Sequence, residues 1–412
     1  MDEQDSHRSP RAWLLGVLAL ALILGSVLLA QPPDRAPAPA APAGRVPTKH
    51  SPPAPTRPAP AAPAPAVPDK PVLRVAGAAT AEGETCGFGR AAPAADDPYG
   101  LQHLPPVVRQ RALDAVEGRL LASADPQVRA AAWLIGSRAR GGSRARIEQL
   151  ARLAAVSQDP IVYAIALEGC GDRTGQEAAA CALLSRSQGV RLDADNAQPW
   201  LALAATAREQ RDGDAEAEAM RRAARAMRSD AHDSLLPALV DRALGEQAPP
   251  LQRTLAVSAS WTIQAAWPAS HTSQAHAYCI TDLSADADRR AVCHALAETL
   301  AYRGTSVADL GVGLAIGTAL GWSAQRLAGL QLEHDALSEA AFTPLIGADL
   351  SCEGVEQLRA WSREVGRHGE LQAMRKVLAE SGRSIEAWSA QHQRNFALAA
   401  ATVQMATEEA GR

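Results

Sequence analysis

The chain has few aromatic residues, and this shortage limits the fold it can adopt. Aromatic side chains make up 4 % of the 412 residues, although hydrophobic residues as a whole reach 47 %. A core must therefore be aliphatic and rich in alanine, which is the strongest helix former and lets helices approach closely. β-Sheets favour β-branched and aromatic residues instead. The composition predicts an all-α fold of stacked helices.

Lysine is also scarce, because only Lys49, Lys70 and Lys376 are lysines among 41 basic residues. A strong preference for arginine is typical of a GC-rich bacterial genome. The net charge is −4, of which the tail 1–11 contributes −1 and residues 31–71 contribute +3, which leaves −6 on residues 72–412. A mildly acidic domain is a poor generic binder of nucleic acid. We therefore expect no nucleic-acid partner.

The sequence contains no Walker loop, no His-Glu-x-x-His and no Gly-x-Ser-x-Gly. We assign no catalytic residue, no cofactor-binding residue, no cofactor and no metal ligand from it, and expect a protein that is not an enzyme. One alternative comes from Glu380-Ser381, because periplasmic lytic transglycosylases carry a catalytic Glu-Ser pair behind a helical superhelix. Gly382-Arg383-Ser384 follows here, and the Gly-Leu-Met-Gln-type segment of that family is absent. Ser381-Gly382 is more typical of a helix end, with Ser384 capping the next helix.

An uncharged, apolar segment covers residues 12–30. At the helical rise its nineteen residues extend about 28 Å, close to the thickness of a bilayer core. The alternative is a signal peptide, whose apolar region is usually shorter and ends in a small-x-small site; Leu28 occupies the place of a small residue before Ala30. We predict an uncleaved transmembrane anchor, with residues 1–11 as a short cytoplasmic tail.

A proline- and alanine-rich segment follows at residues 31–71, with fifteen prolines between 32 and 71. Proline fixes φ, removes a backbone donor and disfavours helix before it, so this segment is expected to be a disordered, extended linker. We interpret it as a spacer, with a ligand for a proline-binding groove as the alternative. The linker separates the anchor from residues 72–412.

All six cysteines follow the predicted anchor, and their even number suits disulfides in an oxidising compartment. Cys170 and Cys181 are eleven residues apart, Cys279 and Cys293 fourteen, and each spacing can bridge an antiparallel helical hairpin. Cys86 and Cys352 are then left to pair, although six cysteines allow fifteen connectivities. The sequence predicts a bacterial inner-membrane protein with a single pass and a periplasmic helical domain; buried free thiols in a cytosolic domain are the alternative.

Helix-start signals recur with a regular period between residues 125 and 230. Asp125, Asp159, Asp195 and Asp230 are 34, 36 and 35 residues apart, and each interval holds two helical stretches. The unit 196–229 resembles the tetratricopeptide repeat: Trp200, Leu203, Ala204 and Ala207 fit its first helix, Gly213-Asp214 fits its turn, and Met220, Ala224 and Met227 form a shifted second apolar face. The resemblance implies helical hairpins stacked into a solenoid whose concave surface binds a protein or peptide.

Three further clusters have both a chemical and a structural interpretation. His271, His276, Cys279, Cys293 and His294 include good zinc ligands, but their spacing matches no familiar zinc pattern and two of them are needed for a disulfide. The arginines of the segment 136–146 suit phosphate or an acidic partner, but a solvated turn is favoured. The glycines of 311–317 have the wrong spacing for a dinucleotide loop and favour a closely packed helix.

These observations predict a membrane-tethered, noncatalytic helical-repeat scaffold that binds a protein or peptide partner in the cell envelope. The alternative function is a periplasmic envelope hydrolase, such as a peptidoglycan-acting enzyme with a dispersed carboxylate site. That alternative requires a deep cleft lined by a carboxylate whose pKa is raised. The sequence gives no partner-binding residue and no oligomeric state.

Overall fold

A computed structural model describes residues 83–91, 104–138, 142–171, 179–267, 271–280, 286–346 and 350–410. The predicted tail 1–11, anchor 12–30 and linker 31–71 lie outside these residues. Across the described ranges, no helix combines the length and the apolar character that a membrane crossing requires.

The described part of the chain is all-helical apart from one short hairpin, as the composition predicts. The strands are β1 (Gly83–Thr85) and β2 (Gly89–Ala91), and a 3₁₀ helix covers Ala179–Leu183. The sixteen α-helices of the described residues are α1 (Pro106–Leu121), α2 (Pro126–Arg138), α3 (Arg144–Val156), α4 (Pro160–Gly171), α5 (Arg186–Leu192), α6 (Ala197–Glu209), α7 (Gly213–Ala224), α8 (Leu235–Leu244), α9 (Pro250–Ala266), α10 (Thr272–Ile280), α11 (Ala287–Arg303), α12 (Val307–Ala319), α13 (Ala324–Ile346), α14 (Cys352–His368), α15 (Glu370–Glu380) and α16 (Ile385–Ala410).

The hairpin is a feature that the sequence did not predict, because its three-residue strands are too short to show an alternating pattern. Its turn is fixed by Gly87, whose φ of +80° favours glycine and whose α-carbon faces the backbone of Leu251. The Cys86 amide donates to the carbonyl of Leu350 at 2.7 Å. The hairpin is therefore attached to the far end of the chain.

Two of the four predicted helix-start signals act as capping residues. The carboxylates of Asp125 and Asp159 accept from the amides of Gln127 and Ile161 at 2.9 and 2.8 Å, and helices α2 and α4 follow them. In the third unit Asn196, the neighbour of Asp195, caps α6 through the Gln198 amide at 3.2 Å. No helix begins at Asp230, because the chain continues as a loop to Leu235.

The region 125–230 forms successive antiparallel units, which is consistent with a helical-repeat fold. Helix α2 packs on α3, α4 packs on α3 and α5, and α6 packs on α7. Two details of the expected repeat were wrong. Gly213 begins α7 and is capped by Asp212, so it is not the turn, and Met227 lies beyond α7 and is exposed.

Beyond residue 230 the chain does not extend the stack in order. Helix α8 returns to pack on α1 and α2 and also contacts α9 and α14, while α10 and α11 cover α6 and α7. Two large apolar clusters result. One lies among α1–α4, α8 and α9, and the other among α6, α7 and α10–α15.

The glycines of 311–317 lie within α12, and their role is close packing, as their spacing predicts. A β-carbon on Gly313 would lie 2.6 Å from the Ala301 amide nitrogen, and one on Gly317 would lie 2.4 Å from the Trp322 ring. Larger residues at either position would force α12 away from its neighbours.

Candidate functional site

The six cysteines form three disulfides in the structure. The pairs are Cys170–Cys181, Cys279–Cys293 and Cys86–Cys352, which are the pairings that the sequence spacing favours. The first joins the end of α4 to the 3₁₀ helix, and the second joins α10 to α11. The third closes a separation of 266 residues and holds the hairpin against the start of α14.

The disulfides also decide the role of the histidine and cysteine cluster. Because Cys279 and Cys293 are bonded to each other, neither thiolate is available to a metal ion. In the described ranges no group of three His, Cys, Asp or Glu side chains is arranged to hold a metal. The His294 ring lies against Trp322, with ring centroids 5.9 Å apart.

Each described arginine side chain of the 136–146 segment has a glutamate partner. Arg138 pairs with Glu168 at 3.0 Å, Arg144 with Glu148 at 3.3 Å, and Arg146 with Glu117 at 2.6 Å. Arg140 lies outside the described residues. The Arg138 pair joins α2 to α4 and the Arg146 pair joins α3 to α1, whereas the Arg144 pair lies within α3. The segment is therefore part of the scaffold at Arg138 and Arg146.

Glu380 is the exposed last residue of α15, and Ser381 caps that helix end. The Ser381 hydroxyl donates to the Leu378 carbonyl at 2.7 Å and accepts from the Trp388 indole at 3.1 Å. Ser384 caps α16 through the Ala387 amide at 3.2 Å. The Glu380-Ser381 pair therefore has the geometry of a helix junction.

A cavity of about 450 Å³ lies where α4, α5 and α6 meet the loop after α7. We call it the α4–α6 cavity. Its volume is in the range of small-ligand sites. It is lined by Arg138, Pro160, Tyr163, Ala164, Leu167, Glu168, Gly171, Arg186, Gly189, Asp193, Asn196, Gln198, Pro199, Ala202, Asp230, Ala231, His232, Trp267 and His271.

The wall formed by α4 and α5 is positioned by Tyr163. Its buried hydroxyl donates to the carbonyl of Ser185 at 3.1 Å and accepts from the Ser185 amide at 2.8 Å. Ser185 in turn caps α5 through the Gln188 amide at 3.2 Å. This chain of bonds fixes the helix that carries Arg186 and Gly189 into the cavity wall.

The opposite wall contains a buried, charged network that we call the His232 cluster: Asp193, Asn196, Arg228, Asp230 and His232. The His232 Nε2 atom lies 2.9 Å from Asp193 Oδ2, and its Nδ1 lies 3.4 Å from Asp230 Oδ2. Arg228 bonds Asp193 and lies 3.3 Å from Asp230. The Asn196 amide donates to Asp193 at 2.7 Å and to the Asp230 carbonyl at 2.6 Å. His232 itself adopts a left-handed φ of +59°.

Contacts within the His232 cluster determine the ionisation states of its histidine and its two aspartates. Burial disfavours charge, but the hydrogen bonds with the two aspartates outweigh it and raise the pKa of His232 to about 9. Burial likewise opposes ionisation of Asp230, yet His232 lowers the pKa of that carboxyl to about 2. The pKa of Asp193 is lowered against its burial by His232 and Asn196. At neutral pH the histidine is therefore a cation and both aspartates are anions.

Arg186 and His271 differ from His232, because burial lowers the pKa of both groups. Burial lowers the pKa of the Arg186 guanidinium, and Glu209 opposes that effect only through its charge. His271, on another wall, loses basicity through burial and through the charge of Arg186, which together lower its pKa to about 4. The imidazole of His271 is therefore neutral at pH 7.

Sequence reasoning did not identify this cavity. In the sequence, Asp230 and Asn196 are helix-start signals, and Arg138 and His271 belong to other clusters. The Asp193-Ala-Asp195-Asn196 and Asp230-Ala-His232 segments are dense in polar groups. That density between two helices is the one local signal that could have marked the cavity. No protein-family model, no curated protein and no solved structure significantly matches this chain.

Proposed function

We propose that this chain is a membrane-tethered, noncatalytic helical-repeat scaffold that binds a protein or peptide partner in the bacterial cell envelope. The proposal treats α2–α7 as tetratricopeptide-like repeats and the α4–α6 cavity as the partner site. Repeat folds use the surface shared by successive units for binding, and this cavity is formed by three successive helices of that region.

The observation that carries the proposal is the charge state of the α4–α6 cavity. Its two titrating aspartates and His232 have pKa values that lie well away from neutrality. General acid–base catalysis works best when the pKa of the group lies near the working pH. A cavity with fixed charges and aromatic walls, such as those of Tyr163 and Trp267, is suited to binding.

The hydrolase alternative needs a carboxylate with a raised pKa in a cleft. Burial raises the pKa of Asp309 to about 8 and of Glu370 to about 7. Neither residue lines the α4–α6 cavity, where the titrating carboxylates have lowered pKa values. No observation in the described residues favours the hydrolase over the scaffold.

The cell-envelope location rests on the cysteines and on the sequence before residue 72. Three disulfides support an oxidising compartment, because cytosolic thiols are normally kept reduced. The apolar segment 12–30 and the linker 31–71 support an inner-membrane tether with the helical domain in the periplasm. A compartment reporter fused after residue 412 tests this part: activity of a cytoplasmic reporter would contradict it.

Photocrosslinking on the full chain in cells tests the partner site. A photoreactive residue replaces Ala164 in the wall of the α4–α6 cavity, and the control replaces Val156, an exposed residue at the end of α3. We expect a discrete crosslinked protein or peptide from position 164 and none from position 156. Products at neither position, or the same products at both, would contradict the proposed site.

A further inference from the structure

We propose that the α4–α6 cavity recognises a single carboxylate group on an otherwise uncharged, partly apolar ligand, and that Arg186 is the residue that binds the carboxylate. This inference rests on the proposed function, because it names the chemistry of the ligand that the binding cavity accepts. It adds a charge requirement that the helical-repeat resemblance does not supply.

The first argument is the pairing of charges around the cavity. Glu168 pairs with Arg138 at 3.0 Å, and the aspartates of the His232 cluster are shared between His232 and Arg228. Every carboxylate in the cavity wall thus has a cationic partner. Of the two arginines that line the cavity, Arg186 is the one that forms neither a hydrogen bond nor an ion pair with any part of the chain that the structure describes.

The second argument is the environment of that guanidinium. Arginine presents a planar set of donors that matches a carboxylate, and such charge-assisted pairs strengthen when water is excluded. The Arg186 side chain is partly buried, and this burial lowers the pKa of its guanidinium. Burial disfavours the charged form of this guanidinium, and a bound carboxylate would stabilise that charge.

The third argument limits the ligand to one negative charge. His271 is neutral at pH 7, so it offers one donor and one acceptor rather than a second cation. The remaining nearby surface includes Tyr163, Leu167 and Trp267, which suit an apolar group beside the carboxylate. A phosphate monoester carries close to two charges and would lack a second unpaired cation in this wall.

The test compares two pools of tetrapeptides that differ only at the C-terminus, one with free acids and one with amides. The N-termini are acetylated, and the side chains are limited to uncharged residues. Both pools are mixed with the full chain in nonionic detergent, and the captured peptides are counted by mass spectrometry. We expect the wild-type chain to capture acids at least about tenfold better than amides, the ratio expected for one charge-assisted hydrogen bond.

Arg186→Gln should bring the acid-to-amide ratio to about one. The matched control is Arg191→Gln, because Arg191 lies on the same helix but is exposed, bonds Gln188 and does not line the cavity. Arg186→Lys should keep part of the acid preference, since lysine keeps the positive charge but lacks the planar set of guanidinium donors. Circular dichroism at rising temperature verifies that each variant is folded.

A wild-type acid-to-amide ratio near one, or an unchanged ratio in Arg186→Gln, would overturn the inference. Competition by N-acetyl-leucine at concentrations close to those of the peptides would assign the carboxylate to a small acid, and its failure to compete would assign it to a peptide end. Competition by inorganic phosphate as effective as that by either acid would overturn the limit to a monoanion. If position 164 gives a specific crosslink but the chain shows no preference for acids over amides, the carboxylate inference is wrong and the proposed partner site is still supported.

Discussion

The molecule contains two charge networks that both pair arginine with a buried aspartate but differ in what surrounds them. The first is the His232 cluster. The second, which we call the Arg359 cluster, joins α8 to α14 and consists of Asp241, Glu246, Glu356, Arg359 and Arg363. Arg359 is 1 % exposed and packs tightly between helices, whereas the His232 cluster borders a cavity of about 450 Å³.

This difference separates a structural network from one that can serve a ligand. In the Arg359 cluster the guanidinium bonds Asp241, lies 3.1 Å from Glu246 and lies 2.7 Å from Glu356, so its donors are used within the protein. Those bonds outweigh the effect of burial and raise the pKa of Arg359. In the α4–α6 cavity the paired groups form the wall, and Arg186 has no ion-pair partner among the residues that the structure describes.

The largest effect is expected from Arg359→Met. The substitution keeps the volume of the side chain but leaves the Asp241 carboxylate buried, with only Arg363 at 3.1 Å. Breaking a buried pair on one side should lower the free energy of unfolding by about 3–5 kcal/mol. Urea unfolding of the full chain measures this loss. The control Arg363→Met, at a side chain that is 35 % exposed, should cost about 1 kcal/mol or less; equal losses for both would contradict the account.

The second effect is the contribution of His232 to the pH dependence of the free energy of unfolding. A histidine with a raised pKa stabilises the fold fully below its unfolded pKa of 6.5, and that stability is lost as pH rises towards about 9. The loss should amount to roughly 3 kcal/mol. His232→Asn, which suits the left-handed backbone, removes the titrating group.

The measurement is the difference between the wild-type and His232→Asn free energies of unfolding at several pH values. Taking the difference removes the parallel losses from Asp309 and Glu370, whose raised pKa values also lower stability as pH rises. We expect the difference to shrink between pH 6.5 and 9. A constant difference across that range would mean that His232 does not titrate as described.

A smaller gain is expected from Gly189→Ala. Gly189 is buried in α5, and a β-carbon there would meet Leu167 at 3.6 Å and Tyr163 at 3.7 Å, which are ordinary contacts. Alanine is a better helix former than glycine, so the free energy of unfolding should rise by about 0.5–1 kcal/mol. Thermal unfolding measures the gain; a loss of stability would mean that the cavity wall is tighter than its contacts indicate.

The smallest effect on stability is expected from Arg186→Gln. Because Arg186 has no ion pair or hydrogen bond within the described residues, its removal should change the free energy of unfolding by only about 0.5 kcal/mol. This is the sharpest contrast with Arg359. A loss near that of Arg359→Met would show that Arg186 is structural.

The sequence predicted much of the fold because the relevant signals are local. Asp125 and Asp159 act on amides only two residues away, and the Cys170–Cys181 and Cys279–Cys293 bridges close short loops between neighbouring helices. The alanine-rich composition likewise predicts stacked helices, because alanine favours the helix and lets helices approach closely.

The α4–α6 cavity could not be predicted in the same way because its parts are distant in sequence. Arg186, His232 and His271 span 85 residues and meet only because the chain turns back after α7. Asp230 appeared to be one more helix start, yet its carboxylate contacts His232 and Arg228. A local pattern cannot distinguish a capping aspartate from one that joins a network of charged side chains.

The most direct test of the partner site is the crosslink from position 164 after the α4–α6 cavity has been filled. Ala202→Phe places a ring at a lining position of α6, whereas Ala205→Phe places it on the same helix away from the lining. We expect Ala202→Phe to reduce the crosslink at least about tenfold. We expect Ala205→Phe to leave it unchanged, with both variants folded by thermal unfolding. A crosslink that survives Ala202→Phe at full yield would contradict the claim that this cavity binds the partner.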